Sequence, residues 1–256
     1  MMTVEQLNQF FETRVPRTLS YSWDNDGLLC CPDPARKIRR VLVALDVTEM
    51  TVERAVRGDF DLLLTHHPLI FRPIKALTPA SCVPRKLLKL VGAGISAVAL
   101  HTRLDALDGG ANDALAEAMC APVVGRFPCE DALEGRIIRL AQPISAEAFA
   151  AYTKEKLGTD AVNLADAHLP VQTVGLVGGE GGDFIDAAKA AGCDTFLTGR
   201  AGYHRMLDAA ESGINVIEAG HFATERPVCA RLCEMVHEAD PTVEVEMYTE
   251  PTLTIR

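Results

Sequence analysis

The sequence predicts an α/β protein with two domains, each built on mostly parallel strands flanked by helices. Short apolar runs alternate with helical segments, and a strand, a helix and a second strand follow one another within about 25 residues. Such a βαβ unit makes its two strands parallel. With 256 residues, of which 48% are hydrophobic, the chain is long enough for one large or two medium domains.

The first half of the chain starts with a helix and then alternates strands with helices. Thr3 and Gln6 form a capping-box signature, which predicts a helix that ends at about Arg14. The loop from Tyr21 to Leu29 holds the only tryptophan, and is either an aromatic plug with a turn or a loop near the functional site. Predicted strands then cover residues 41–45, 62–64 and 95–100, and predicted helices cover residues 48–57, 85–91 and 112–119.

The segment from Pro122 to Pro128 interrupts the periodic pattern and predicts a domain boundary. Beyond it, the predicted strands cover residues 137–140, 161–164, 174–177, 195–198, 214–217 and 243–248, with helices between them. The glycines of residues 178–182 indicate either a phosphate-binding loop or a tight turn. We predict a first domain over residues 1–125, joined by the C-terminal segment 226–256, and a second over residues 126–225.

Charge and composition narrow the class of protein. The formal net charge of −10 argues against a broad nucleic-acid surface, which needs clustered lysines and arginines. The N-terminal sequence has no signal-peptide pattern, and no apolar run approaches the roughly 18 residues of a membrane span. Eight cysteines without CxxC spacing are typical of reduced residues. We therefore expect a cytoplasmic protein with no membrane association.

Histidines follow directly after three predicted buried strands. His66 and His67 come after the first, His101 stands four residues before Asp105, and His221 stands four residues before Glu225. The carboxyl ends of strands in an α/β sheet are where ligands bind, and a helical turn would let each spaced pair face one way. The predicted metal ligands are His66, His67, His101, Asp105, His221 and Glu225.

This set of side chains predicts two metal ions. One tetrahedral zinc takes about four ligands, so six protein groups suit two ions that share a carboxylate. Mixed imidazole and carboxylate ligands favour Zn, Fe, Mn, Ni or Co over Ca or Mg. His204 is either a core residue, a group that holds a ligand in place, or a general acid/base, and with Glu218 it is the candidate for proton transfer. We expect His168 and His237 to be surface residues.

Six short motifs occur together between about residues 20 and 226. They are Trp23-Asp24-Asn25-x-Gly27-Leu28, Ala44-Leu45-Asp46-x-Thr48, Thr65-His66-His67-Pro68-Leu69-x-Phe71, His101-Thr102-x-Leu104-Asp105, Thr198-Gly199-x-x-x-Tyr203-His204 and Gly220-His221-x-x-x-Glu225. With these motifs the chain resembles the NIF3 family, also called the GTP cyclohydrolase I type 2 family. The resemblance implies a dinuclear metal centre in a cleft between two α/β domains, the six residues above as its ligands, and a toroidal homohexamer in the compact form without an inserted domain.

Two residues depart from the family pattern. Arg103 stands where asparagine is common, and Arg200 stands where an acidic residue is common. Both would place positive charge near the expected cleft, where it would either favour an anionic substrate or alter the chemistry of the family.

These expectations lead to two functional hypotheses. The first is a metal-dependent hydrolase that attacks C8 of a guanine nucleotide, as the family name implies, or cleaves a phosphoester. The alternative is a non-catalytic hexamer whose metal ions are structural, stored or regulatory, and which acts by binding a partner. A nucleotide or another anionic small molecule is the expected ligand, and the net charge disfavours nucleic acid.

Overall fold

The computed structural model describes residues 1–130, 132–251 and 253, and the chain divides into two compact units. The first unit consists of Met1–Asp105 together with residues 229–251, and the second unit is Ala106–Val228. The predicted division placed residues 106–125 in the first domain. In the structure they belong to the second unit, because Leu115, Ala116 and Met119 are part of its hydrophobic core.

Eleven strands and ten α-helices are present in the described part of the chain. The strands are β1 Gly27–Cys30, β2 Arg40–Ala44, β3 Leu62–Thr65, β4 Ser96–Ala99, β5 Val123–Cys129, β6 Ala132–Ile144, β7 Asn163–Ala165, β8 Val171–Glu180, β9 Thr195–Arg200, β10 Asn215–Glu218 and β11 Glu244–Met247. The helices are α1 Val4–Arg14, α2 Glu49–Arg57, α3 Cys82–Ala93, α4 Thr102–Ala106, α5 Ala111–Ala118, α6 Ala146–Leu157, α7 Ile185–Ala190, α8 Tyr203–Ser212, α9 His221–Glu225 and α10 Val228–Ala239.

The sheet of the first unit has the strand order β1-β4-β3-β2-β11. Its neighbouring strands are parallel, except that β1 runs antiparallel to β4. Thr65 at the end of β3 pairs with Ala99 of β4 and with Ala44 of β2. The carboxyl ends of these three strands therefore lie side by side at one edge, and the residues that follow them start from the same place.

Local sequence explains the helices that join these strands. Thr3 and Gln6 form the predicted capping box, and their side chains bond each other's backbone N–H groups. Thr48 caps α2 in the same way with Thr51, and only four residues separate the end of β2 from the start of this helix. Leu42, Val52 and Leu63 are fully buried in the core of this unit, which lies between the sheet and its helices.

The sheet of the second unit has the order β5-β6-β8-β9-β10-β7 and is mixed. Only the β8–β9 and β9–β10 pairs are parallel, while the other three pairs are antiparallel. The expectation of mostly parallel strands holds for the first sheet but not for this one. The predicted boundary segment is β5, an edge strand paired with the long β6 through a short connection, which requires no crossover helix. None of the helices in the described residues is both long and apolar enough to cross a membrane.

Candidate metal centre

Three histidine rings come together at the carboxyl edge of the first sheet. His66 and His67 directly follow β3, and His101 lies two residues beyond the end of β4. The ring centroids are 4.9 Å apart for His66 and His67, 5.2 Å for His66 and His101, and 5.5 Å for His67 and His101. One ligand nitrogen from each ring lies within 4.8 Å of the others. The prediction that strand ends bring these three histidines together is therefore confirmed by the structure.

The Nδ1 atom of each ring is held by an oxygen of the first unit. His66 Nδ1 lies 2.9 Å from the carbonyl oxygen of Leu100, His67 Nδ1 lies 2.7 Å from Asp46 Oδ1, and His101 Nδ1 lies 2.9 Å from Asp24 Oδ1. A carbonyl or carboxylate oxygen can only accept, so each Nδ1 donates a proton. In the neutral imidazole the lone pair is then on Nε2, which is the atom that binds a metal in this tautomer.

Asp24 accepts more hydrogen bonds than the other two groups that hold the rings. Its side chain is fully buried, and it accepts hydrogen bonds from His101 Nδ1, from the Thr102 backbone N–H at 3.1 Å and from the Thr102 hydroxyl at 2.7 Å. Burial by itself raises the pKa of Asp24. The hydrogen bonds from His101 and Thr102 outweigh that effect and lower the pKa from 3.8 to about 2. Asp24 is thus a carboxylate at neutral pH and fixes the orientation of the His101 ring.

Asp105 adds a carboxylate to the same group. The short helix α4 begins immediately after His101, and the Asp105 backbone N–H donates to the His101 carbonyl. This helical turn directs both side chains the same way, as their spacing predicts. Asp105 Oδ1 lies 3.5 Å from His66 Nε2. The first unit therefore places four of the six predicted ligands in one group.

His221 and Glu225 belong to the second unit, where their side chains meet. Both lie on α9, which follows β10, and His221 Nε2 lies 2.9 Å from Glu225 Oε2. The His221 side chain is half exposed, whereas Glu225 is buried. The helical spacing therefore directs the two side chains together, as predicted.

The glycines that end β8 pack against Glu225 and do not form a phosphate-binding loop. The N–H of Gly178 donates to Asn112 Oδ1, that of Gly179 to Thr224 Oγ1, and that of Gly181 to Thr198 Oγ1. These N–H groups are thus already used by side chains, which excludes the phosphate interpretation. At Gly179, where φ is +63°, a Cβ atom would lie 2.1 Å from Glu225 Oε1. Glycine is required there because the backbone approaches the carboxylate closely.

The remaining histidines occupy other positions. His204 is the second residue of α8, is exposed, and packs edge-to-face against the Tyr203 ring at 5.3 Å. His168 and His237 are exposed, in accordance with their assignment as surface residues. Glu218 accepts hydrogen bonds from the N–H groups of Ala201 and Gly202. Burial raises the pKa of Glu218, but these bonds and others lower it overall, so its carboxylate is better suited to holding the start of α8 than to taking up a proton.

The expectation that Arg103 places positive charge near the site is wrong. Its guanidinium is fully buried in the first unit, with Nε 2.9 Å from Asp26 Oδ2 and Nη1 3.2 Å from Glu12 Oε2. It also donates to the Val15 carbonyl at 2.9 Å. The charge of Arg103 is therefore neutralised inside the unit, whereas Arg200 is exposed.

The chemistry of these side chains fits a divalent transition metal. Imidazole nitrogens with a carboxylate suit Zn, Fe, Mn, Ni or Co. Two ligand atoms on one tetrahedral ion, each about 2.1 Å from it, are about 3.4 Å apart. The 3.5 Å from His66 Nε2 to Asp105 Oδ1 is close to that spacing, whereas the 2.9 Å from His221 Nε2 to Glu225 Oε2 is a hydrogen-bond distance.

The sequence alone did not identify Asp24 and Asp46 as the groups that hold His101 and His67. In the sequence, Asp24 is recognisable only as a turn residue and Asp46 only as the residue after a strand. Asp24 is also 77 residues away from His101, the histidine it contacts. The one available signal was position, since Asp46 follows a buried strand and Asp24 lies in a loop rich in turn-forming residues.

Comparison with known proteins places these observations in a family. The family model described as Duf34/NIF3 (NGG1p interacting factor 3) matches residues 2–252. The "GTP cyclohydrolase 1 type 2 homolog" of Clostridium perfringens is 31% identical, over 93% of this chain and 92% of that protein. The "Protein NIF3 homolog" of Schizosaccharomyces pombe is also 31% identical, over 91% and 90%. The crystal structure of Staphylococcus aureus protein SA1388 has the same fold, with a TM-score of 0.89, 23% identity, and coverage of 100% of this chain and 99% of that one. The chain therefore belongs to the Duf34/NIF3 family.

Proposed function

We propose that this protein binds two divalent metal ions through the six predicted ligands and is a metal-dependent hydrolase of a nucleotide or a phosphoester. The observation that carries the proposal is the arrangement of His66, His67 and His101, each held at Nδ1 and close to the others. Assigning His221 and Glu225 to the same paired centre is part of this proposal and is what the family resemblance implies. The name of the relative from Clostridium perfringens supports a nucleotide as substrate.

Bound divalent ions would supply Lewis acidity and would lower the pKa of water at the site towards neutrality. The protein provides the frame for that chemistry. Asp24, Asp46 and the Leu100 carbonyl keep the three rings in one tautomer and orientation. This arrangement limits the reorganisation needed when the site is loaded.

Partial exposure of the ligands favours catalysis over a purely structural role. The side chains of His67 and His101 are 21% and 17% exposed, and that of His221 is 45% exposed. A structural zinc site has all its positions filled by protein, whereas a catalytic site leaves one open to water or substrate. We assign proton transfer to His204. The proposal also includes the homohexamer that the family resemblance implies.

The test is to replace His67 and, separately, Asp105 with alanine. His168→Ala is the matched control, because that side chain is 90% exposed. Metal per chain is measured by elemental analysis, hydrolysis by formate release from GTP and phosphate release from a panel of phosphoesters, and oligomer mass by sedimentation. We expect about two metal ions per chain in the unmodified protein and in the control.

Removing a residue that hydrogen-bonds a metal ligand lowers metal affinity by about 10- to 100-fold. In the two variants that lack a ligand itself, metal affinity should fall by more than this, and hydrolysis should fall with it. If metal-loaded protein releases neither formate nor phosphate, the hydrolase proposal is wrong. Loss of the oligomer together with the metal would show instead that the ions have a structural role.

A further inference from the structure

An exposed group of aromatic rings lies beside the histidine cluster in the first unit. Tyr21 stacks on Trp23 with ring centroids 5.4 Å apart and planes 19° apart, and the Phe71 ring meets Trp23 edge-on at 6.1 Å. Trp23 and Phe71 lie 6.4 and 6.3 Å from the His101 ring. We call Tyr21, Trp23 and Phe71 the aromatic platform. It is continuous with the candidate metal centre through His101.

Two of the three rings of the aromatic platform are exposed, and the third is half-buried. Trp23 is 53% exposed and Phe71 is 48% exposed. Large aromatic rings dominate the energetics of interfaces, and an exposed apolar patch next to polar groups marks a binding site. The sequence offered two interpretations of the Trp23 loop, a buried plug or a loop near the site. The structure supports the second.

Hydrogen bonds to neighbouring segments hold the loops that carry the aromatic platform in place. The Tyr21 N–H donates to Thr102 Oγ1 at 3.1 Å, and the Thr102 hydroxyl in turn donates to Asp24. The Asn25 side-chain amide donates to the carbonyl of Ile70, which ties the Trp23 loop to the segment that carries Phe71. The rings are thus arranged before a ligand arrives, which lowers the entropy cost of binding.

Two basic residues follow the platform in the chain. Arg72 and Lys75 are exposed and lie on the segment that starts at Phe71. Among the residues that the structure describes, no carboxylate forms an ion pair with either of them. In a chain with a formal net charge of −10, two cations that follow Phe71 within four residues of the chain would attract a ligand that carries a negative group as well as a planar ring.

We infer that the aromatic platform binds the heteroaromatic base of a mononucleotide, with Arg72 and Lys75 neutralising its phosphate. This inference rests on the proposed function, because it names the part of the same site that recognises the substrate. Stacking tolerates any base, since every base has a π-face. If the base of the nucleotide binds next to His101, the rest of the nucleotide is brought close to the histidine cluster.

The sole tryptophan makes the inference directly measurable. Emission of Trp23 in the metal-loaded protein is followed while GMP is added, and ribose 5-phosphate serves as the matched probe without a ring. We expect saturable quenching with GMP and no quenching with ribose 5-phosphate. Equal quenching by both probes, or no binding of GMP at millimolar concentration, would overturn the inference.

Variants measure separately how base stacking and phosphate neutralisation contribute to GMP binding. By isothermal titration, Trp23→Ala should weaken GMP binding about 5- to 150-fold, because stacking of one base is worth about 1–3 kcal/mol. Trp23→Phe should keep binding within about 3-fold and shows that the loop still folds. Arg72→Ala with Lys75→Ala should weaken GMP and ribose 5-phosphate to the same degree. The control Leu88→Ala changes an exposed apolar residue of α3 and should leave binding unchanged.

The outcomes distinguish this inference from the proposed function. Metal content should stay unchanged in Trp23→Ala, because Trp23 is not a ligand. If GMP binds equally well to Trp23→Ala, the platform does not bind the base, whatever the protein hydrolyses. If GMP quenches Trp23 and yet no substrate is turned over, the platform stands and the hydrolase proposal fails. Emission that changes with protein concentration instead of GMP would show that a second copy covers the platform, and the inference would be wrong.

Discussion

Replacing Asp24 with asparagine removes the charge that holds His101 while the size of the side chain is kept. The pKa of Asp24 falls from 3.8 to about 2 on folding, which corresponds to about 2 kcal/mol of stability from this fully buried carboxylate. Because the folded-state pKa is the lower one, this stability is present in full above about pH 4. It is lost as the pH falls towards 2, and about half of it remains at pH 3. Asp24→Asn should therefore lower the unfolding free energy by about 2 kcal/mol at pH 7 and by about 1 kcal/mol at pH 3.

The same substitution should weaken metal binding by about 10- to 100-fold, because the tautomer and orientation of His101 are no longer fixed. Urea unfolding of the metal-free protein, followed by far-ultraviolet circular dichroism, measures the stability, and competition with a chromophoric chelator measures the affinity. Asp160→Asn is the control, since that side chain is exposed. If Asp24→Asn unfolds and binds metal like the unmodified protein, Asp24 does not position His101.

Three further substitutions test other parts of the structure. Arg103→Met removes the ion-pair partner of the buried Asp26 carboxylate and should cost about 3–5 kcal/mol in urea unfolding, whereas Arg200→Met at an exposed position should change stability by less than about 0.5 kcal/mol. Gly179→Ala should displace the Glu225 carboxylate and lower metal content. The control Gly192→Ala, at a similar positive φ but with open space around it, should carry only backbone strain and keep the metal. His204→Gln should lower kcat by at least about 100-fold without changing metal content if this residue transfers a proton, and an unchanged kcat would remove it from the mechanism.

The site residues could be predicted because each lies next to a strong local signal. The runs Leu62–Leu64 and Ser96–Ala99 are short, apolar and buried, so their ends were visible in the sequence. Parallel pairing then places those ends at one edge, and this holds whatever the rest of the fold is. One helical turn is enough to direct the side chains of His101 and Asp105 the same way.

Features that depend on distant residues could not be predicted in this way. β5 contains a glycine and a proline, and buried residues alternate with exposed ones only over its last four positions, so it looked like a linker until its pairing with β6 was known. Arg103 looked like a charge available to a substrate, because nothing local shows that Glu12 and Asp26 enclose it. The same limit concealed Asp24 as the partner of His101.

The order of strands in the first sheet explains why each histidine finds its partner. Because β1 is antiparallel to β4, Gly27 at its start pairs with Ala99, and the loop that carries Asp24 reaches the carboxyl edge beside His101. On the other side of β3, β2 is parallel and ends at the same edge, so that Asp46 reaches His67. Side chains alternate between faces along a strand, so a slip of one residue in either pairing would turn a histidine away from the oxygen that holds it. The positions of the three rings are therefore set by the register of the sheet, before any metal is bound.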